Sequence, residues 1–187
     1  MKKLLFAVAL SSLLPVPAFA DQPVNAIGLS LDGMADTERP AGTNRENHGG
    51  RFGLEYARTI WPRLDVFAAA GGHRLRIEDG SSKTRVTVYD LRLGARQYFL
   101  PRSIETWSPF LDAALVEAWM RDPQASNGGT RRYTGWNASL GMAKLLSANT
   151  DLRLAVGYQR LSTDATRNDH TDVLSTADFR VAASARF

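Results

Sequence analysis

The C-terminal segment from Val173 to Phe187 alternates between two kinds of side chain with a period of two. Small and apolar residues dominate one set of alternate positions, and polar and charged residues dominate the other. The first set includes Ala177, Phe179, Val181, Ala183 and Ala185, and the second includes Thr176, Asp178, Arg180, Ser184 and Arg186. Because successive side chains of a β-strand point to opposite faces, this pattern predicts an amphipathic strand that ends on an aromatic residue.

The N-terminal segment, residues 1–20, has the features of a secretory signal peptide. It combines a basic start, an apolar run from Leu4 to Leu14, and the small-x-small sequence Ala18-Phe19-Ala20. Proline residues end the apolar run well short of the roughly 20 residues that a membrane-spanning helix needs. We therefore expect residues 1–20 to be cleaved after export and residues 21–187 to form one domain.

Charge and cysteine content restrict the mature chain further. The sequence has 23 basic and 19 acidic residues, and loss of Lys2 and Lys3 with the leader brings its net charge from +4 to +2. It contains no cysteine, so disulfides do not stabilise this exported protein. No later segment is long and apolar enough for a transmembrane helix, so the chain is either soluble or crosses a membrane as strands. We expect no nucleic-acid partner.

Seven further segments have the properties of strands, with connections of two kinds between them. Together with the C-terminal segment they make eight predicted strands: Asn25 to Gly33, Arg51 to Arg58, Leu64 to Ile77, the segment around Tyr89 to Phe99, Pro109 to Met120, Tyr133 to Leu146, Thr150 to Leu161 and Val173 to Phe187. In the third strand the apolar positions change parity, which we interpret as a bulge at Gly71-Gly72. Connections after odd-numbered strands are generally longer and more polar. This alternation predicts an all-β fold, a transmembrane antiparallel eight-stranded up-and-down β-barrel with both chain ends in the periplasm.

Periodicity does not distinguish the inside of such a barrel from its outside, and a soluble lipocalin-like barrel would place the apolar face inside. Charged residues among small ones on the polar face favour a membrane barrel with a narrow polar lumen. We predict a lumen ion-pair network of Glu55, Asp90, Arg92, Arg96, Asp112, Arg153, Asp178 and Arg180. The network either plugs the lumen or gates a leak of small ions, and we favour the plug because side chains fill the interior of an eight-stranded barrel.

With these features, the chain resembles the transmembrane domain of OmpA-like outer-membrane proteins and their short relatives. The resemblance is carried by the terminal Phe187 and by the segments Tyr98-Phe99-Leu100-Pro101 and Ser108-Pro109-Phe110-Leu111. It implies a monomer in the bacterial outer membrane, delivered by periplasmic chaperones, with Phe187 as the assembly signal read by the barrel assembly machinery. Ala182 and Val181 depart from that signal, which usually has glycine and a polar residue there. The implied role is envelope integrity or surface interaction, with minor porin-like ion conductance as a further expectation.

An enzyme acting on lipid A is the alternative. His170 lies near Asp169, Asp172 and Ser175, but the deacylase pattern has serine two residues from histidine, where this chain has Asp172. His48 with Asp79, Ser81 and Ser82 is similar to the palmitoyltransferase set, as loops rich in serine and aspartate will be by chance. We therefore predict no catalytic residues, no cofactor and no metal site.

Aromatic and basic residues near the strand ends predict contacts with the two membrane surfaces. Two aromatic girdles are expected, one at the periplasmic end (Tyr56, Trp61, Tyr98, Phe99, Trp107 and Phe187) and one at the outer end (Trp119, Tyr133 and Trp136). Arg121, Arg131 and Arg132 flank the third outer loop, and we predict that they bind the phosphates of lipopolysaccharide in the outer membrane. The alternative is that they are solvated loop charges.

Overall fold

The computed structural model describes residues 25–36, 46–79, 82–121, 130–162 and 173–187. They form β1 (Asn25–Asp36), β2 (Glu46–Trp61), β3 (Leu64–Asp79), β4 (Ser82–Tyr98), β5 (Ser108–Arg121), β6 (Thr130–Ser147), β7 (Thr150–Ser162) and β8 (Val173–Arg186). The leader, residues 1–20, lies outside these described residues. None of the described segments is a helix long and apolar enough to cross a membrane.

The strands close into an antiparallel barrel in chain order, with β8 paired to β1. This confirms the predicted fold and strand count. Both ends of the described chain, Asn25 and Phe187, meet at one end of the barrel. We call it the periplasmic end after the topology predicted from the sequence, and we call the opposite end the outer end. The turns after β2, β4 and β6 lie at that same end, and backbone hydrogen bonds hold them, including Tyr98 N–H to the Arg63 carbonyl at 2.8 Å.

The apolar face of each strand points outward. Leu115 is 72% exposed and Leu31 is 65% exposed, whereas Asp90 and Arg96 inside the barrel are each 2% exposed. A water-soluble barrel has the opposite arrangement, because exposed apolar surface of this extent is unfavourable in water. The exterior is therefore the lipid-facing surface of a transmembrane barrel.

The predicted bulge at Gly71-Gly72 is wrong. Pairing runs without a break through both glycines, and the register shifts occur beside the turns, at Thr59/Trp61 and Leu145/Ser147. Gly71 faces the lumen, where a side chain would collide with the guanidinium of Arg51. The glycine is required by the size of a neighbouring arginine, and β3 continues in one register beyond it.

Several strands extend further than predicted, especially at the outer end. β1 continues to Asp36, β2 begins at Glu46, and β3 and β4 are separated only by residues 80 and 81. Polar residues beyond the lipid zone continue the backbone pairing, so a polar composition alone did not mark the ends of the strands. The β3–β4 connection is consequently short and does not follow the predicted alternation of long and short loops.

The aromatic girdle is only partly as predicted. Tyr56, Trp61, Phe99 and Phe187 are exposed at the periplasmic end, and Trp136 is exposed on the outside of β6. Tyr98 and Tyr133 are buried inside the barrel, because each lies at an inward position of its strand. Their prediction as membrane-surface residues is wrong.

Candidate functional site

The lumen contains equal numbers of arginine and carboxylate side chains in the described part of the chain. Seven arginines face seven carboxylates, namely Arg51, Arg92, Arg96, Arg102, Arg153, Arg180 and Arg186 against Asp32, Glu55, Asp65, Asp90, Asp112, Asp151 and Asp178. Alternation places all of them there except Arg102, since each of the others occupies an inward position of a strand, whereas Arg102 reaches the lumen from the β4–β5 turn. A buried charge without a partner is costly, and this balance means that each sign of charge in the lumen has the opposite sign available to offset it.

Glu55 is the centre of the middle layer of charges. Its two carboxylate oxygens accept hydrogen bonds from the two terminal nitrogens of Arg96, both at 3.0 Å. Arg153 Nη1 donates to the same carboxylate at 2.5 Å. Arg96 also donates to Asp112 at 3.2 Å, and Asp112 accepts a further hydrogen bond from Ser139. These contacts join five strands, β2, β4, β5, β6 and β7, across the lumen.

Arg51 is the centre of a second layer, nearer the outer end. Its Nε and Nη2 donate to the two oxygens of Asp90, both at 2.8 Å, and its Nη1 donates to Asp32 at 3.0 Å. Arg92 Nε donates to Asp90 at 3.1 Å. Paired, bidentate contacts of this kind are the strongest hydrogen bonds that protein side chains form, so Arg51 ties β2 firmly to β1 and β4.

Arg180 connects these two layers from β8. Its Nε lies 3.4 Å from Asp32, its Nη1 lies 3.6 Å from Asp112, and its Nη2 lies 3.9 Å from Asp178. His73 is also inside, with Nδ1 at 3.6 Å from Asp90. The charges of the two layers therefore form one continuous network.

Arg102 covers the periplasmic end of the lumen from the turn between β4 and β5. It donates to Asp65 at 2.7 Å and to Thr59 at 3.2 Å, and its guanidinium lies over the Tyr98 ring at 4.5 Å. Burial by itself lowers the pKa of Arg102, but the neighbouring Tyr98 and Asp65 oxygens outweigh it and raise the pKa above its ordinary value. The cation is therefore permanent, and the turn is held over the opening.

The outer end of the lumen is apolar. Side chains at the inward positions of β4, β5, β6 and β7 pack against one another there, and Leu174 of β8 packs against them. The cluster comprises Val86, Val88, Val116, Ala118, Met120, Tyr133 and Leu161. From the periplasmic end outward, the lumen thus holds the Arg102 cover, two layers of ion pairs and an apolar layer.

All eight residues predicted for the lumen network lie inside, and the structure brings each into an ion pair with another charged residue of the lumen. The sequence argument missed Asp32, Arg51, Asp65, Asp151 and Arg186, which are as deeply buried, and Arg102. Parity could have found the first five, because Asp32 and Arg51 alternate with exposed apolar neighbours in the same way as Asp90. Arg102 has no such signal, since it lies in a turn.

The remaining predicted residues lie away from the lumen network. Arg121, Arg131 and Arg132 are exposed at the outer ends of β5 and β6, and Arg132 Nε is 2.6 Å from Glu117. Phe187 is 61% exposed at the opposite end.

The histidine sets proposed for catalysis are not assembled by the described residues. Asp169, His170 and Asp172 lie outside them, and Ser175 is buried in β8. Ser81 also lies outside, and the side chains of His48, Asp79 and Ser82 are not described.

Solved structures similar to this chain have the same architecture. Neisserial surface protein A superposes with a TM-score of 0.64 at 14% identity, covering 87% of this chain and 97% of that protein. OprG of Pseudomonas aeruginosa gives a TM-score of 0.60 at 14% identity, covering 89% and 97%. The chain has the fold of the small eight-stranded outer-membrane β-barrels. Ail of Yersinia pestis, the attachment invasion locus protein, also matches this barrel, with a TM-score of 0.53 at 14% identity and coverage of 89% and 99%.

No protein-family model and no curated protein matches the sequence of this barrel. At 14% identity these solved structures establish the fold of the chain and nothing finer. The resemblance predicted from the sequence is likewise one of architecture. The expectations for its partners and activity therefore depend on the chemistry of its own surfaces.

Proposed function

We propose that this protein is a sealed structural barrel of the bacterial outer membrane, which stabilises the envelope and presents its outer loops at the cell surface. Cleavage of residues 1–20, delivery by periplasmic chaperones, insertion by the barrel assembly machinery and a monomeric state belong to the same proposal. The observation that carries it is the lumen, where seven arginines are balanced by seven carboxylates among the described residues. Such a core stabilises a barrel and leaves little room for a solute.

Two physical barriers oppose ion flow through this lumen. A permeating ion has to replace short contacts such as Arg51–Asp90 at 2.8 Å and Arg96–Glu55 at 3.0 Å, and each replacement leaves a buried charge unpaired. It then meets the apolar layer around Met120 and Tyr133, and apolar constrictions stop ions by excluding water. The plug is therefore the better supported of the two interpretations of the lumen, and minor porin-like conductance the less.

Planar-bilayer recording of the purified, refolded barrel tests the seal. We expect no discrete conductance steps from the parent protein. The double variant Glu55→Ala with Arg96→Ala removes a charge of each sign and much volume from the middle layer, and serves as the variant in which leakage is most favoured. Steps of porin size from the parent would refute the sealed barrel.

The structural role is tested in cells of the source bacterium that lack the protein. We expect these cells to be more permeable to a large hydrophobic dye, and we expect the parent protein supplied from a plasmid to restore the barrier. Lipid A from the same cells should have the same mass spectrum with and without the protein, because we propose no enzymatic activity. A change in acyl chain number would favour the lipid A-modifying alternative.

The outer rim provides a second part of the proposal, contact with lipopolysaccharide. Arg121, Arg131 and Arg132 lie close together because Arg121 pairs with Thr130 and Met120 pairs with Arg131 across β5 and β6. Arginine suits phosphate because its planar fork donates several hydrogen bonds. Arg132 is already paired with Glu117, so the positive charge of this rim is partly neutralised and the three residues are not equivalent.

A further inference from the structure

The lipid-facing surface has a hollow in the outer half of β1 to β4. Three outward-facing glycines form its floor, and larger apolar side chains stand around it. The floor is Gly33, Gly50 and Gly72, and the walls include Leu31, Phe52, Tyr89 and Phe179, enclosing about 650 Å³. Leu31, Phe52 and Tyr89 are each more than half exposed, so the hollow opens toward lipid and not toward the lumen.

Packing inside the barrel does not explain why two of these positions are glycine. A Cβ atom built on Gly33 would have no neighbour within 4 Å, and one built on Gly50 would first meet the Asp32 carbonyl oxygen at 3.8 Å. By contrast, a Cβ on the lumen-facing Gly53 would lie 2.5 Å from the Arg51 guanidinium. The lumen-facing glycine makes room for an arginine of the barrel, whereas the floor glycines leave space on the lipid side.

Arg74 lies at the end of the hollow that is nearer the outer membrane surface. Arg74 is two residues beyond Gly72 toward the outer end of β3, and it lies opposite Gly50 of β2 and Thr87 of β4. It is exposed and forms no ion pair with any side chain that the structure describes.

Arg74 is the charged residue on the outward face of β3 next to this hollow, among the side chains that the structure describes. It borders the hollow on the side of the outer membrane surface and has no described counter-ion. An anionic group above the hollow would give Arg74 a partner of opposite charge.

We propose that the hollow binds one acyl chain of a phosphate-bearing lipid of the outer leaflet, with the phosphate held by Arg74. The inference rests on the proposed membrane location and adds a site separate from the arginines of β5 and β6. The ligand is a lipid and not free phosphate because the cation borders an apolar hollow large enough for an alkyl chain. The phosphate lies toward the outer membrane surface. The acyl chain runs along β3 toward the middle of the bilayer, as in a lipid of the outer leaflet.

Native mass spectrometry of the folded barrel with lipid A as the probe tests this site. Arg74→Gln should weaken lipid A binding about fivefold, the effect of one basic side chain at an anionic lipid surface. Gly33→Leu should fill the hollow and weaken binding by a similar factor. Ala113→Leu places the same bulk on the outer face of β5, away from the hollow, and should bind like the parent.

Dephosphorylated lipid A and inorganic phosphate complete the experiment. Dephosphorylated lipid A should bind the parent and Arg74→Gln equally, and inorganic phosphate should not compete at millimolar concentration. A heat-modifiable gel shift verifies that each variant folds. If Gly33→Leu or Arg74→Gln fails to fold, the milder variants Gly33→Ala and Arg74→Lys replace them. Unchanged lipid A binding in both Arg74→Gln and Gly33→Leu would overturn the proposal, as would competition by free phosphate. Loss of binding only when Arg121, Arg131 and Arg132 are replaced would overturn it while leaving the proposed function intact.

Discussion

Phe187 and Asn25 exchange two backbone hydrogen bonds, Asn25 N–H to the Phe187 carbonyl at 3.0 Å and Phe187 N–H to the Asn25 carbonyl at 2.9 Å. These bonds are the periplasmic end of the β1–β8 seam, where the first and last strands meet. The Phe187 ring itself is exposed. The residue therefore contributes its backbone to the closed barrel and leaves its aromatic ring available at the lipid-facing rim.

Deleting Phe187 should lower the amount of folded protein in the outer membrane. The deletion removes both the aromatic ring expected to be read during assembly and the two hydrogen bonds to Asn25. Phe187→Ala keeps those backbone bonds and removes only the ring, so it separates the two effects. We expect both variants to assemble poorly and Phe187→Tyr to assemble well, as measured by heat-modifiable gel shift of membrane fractions. Normal assembly of the deletion variant would remove the ground for treating Phe187 as a signal.

Replacing Arg96 by Ala should destabilise the barrel by about 3–5 kcal/mol, the usual cost of leaving a buried partner unpaired. Glu55 would lose two hydrogen bonds and Asp112 would lose one. Urea unfolding in lipid vesicles measures the change in the free energy of unfolding. Glu55 keeps Arg153 as a partner, so Arg96→Ala leaves the lumen with one excess negative charge. Adding Glu55→Gln removes that excess, so the double variant should recover part of the loss. An additive double-variant effect would mean that the two residues are not coupled.

Leu93→Arg tests the opposite face of the same strand. Leu93 is exposed on the lipid side, and an arginine on the lipid face costs about 2–4 kcal/mol near the bilayer midplane. The same unfolding measurement applies, with Leu93→Ala as the control that removes the side chain without adding charge. If Leu93→Arg and Arg96→Ala were both tolerated, the assignment of inside and outside faces would be incorrect.

The fold was predictable because one rule, the alternation of side chains across a strand, acts on every strand. It places Asp90, Arg92 and Arg96 inside and Leu91 and Leu93 outside, as the structure has them. The rule fails where the size of a side chain, and not its polarity, determines which residue a position can hold. The change of parity around Gly71 predicts a bulge, whereas this glycine makes room for Arg51.

The lumen network was predictable as a set of residues but not as a set of pairs. Alternation tells which side chains share the interior, whereas pairing depends on the register and tilt of strands far apart in the chain. Glu55 and Arg153 are 98 residues apart, and no local pattern connects them. Arg102 joins from a turn, where alternation does not apply. The hollow at Gly33 and Gly50 depends on register in the same way.

Gly94→Ala should be destabilising by about 1–3 kcal/mol, the range for overpacking a filled interior. A methyl group there would collide with the Ala113 carbonyl oxygen and approach Phe67 Cζ to 2.8 Å. Gly33→Ala is the matched control, because its methyl group meets nothing within 4 Å. Unfolding free energies of the two variants in urea provide the comparison. Equal values would show that the close approach at Gly94 relaxes without cost.

Replacing Arg121, Arg131 and Arg132 together by Gln should reduce the lipopolysaccharide that co-purifies with the barrel, while the heat-modifiable gel shift stays unchanged. The three residues are exposed beyond the lipid-facing apolar band, so their loss removes phosphate contacts without disturbing the lumen. Arg132 is held by Glu117 at 2.6 Å, so Arg121→Gln alone should reduce co-purification more than Arg132→Gln alone. Glu117→Gln frees Arg132 and should raise it. Phosphate analysis of the purified protein gives the amount bound, and an unchanged amount in the triple variant would show that these arginines are simply solvated.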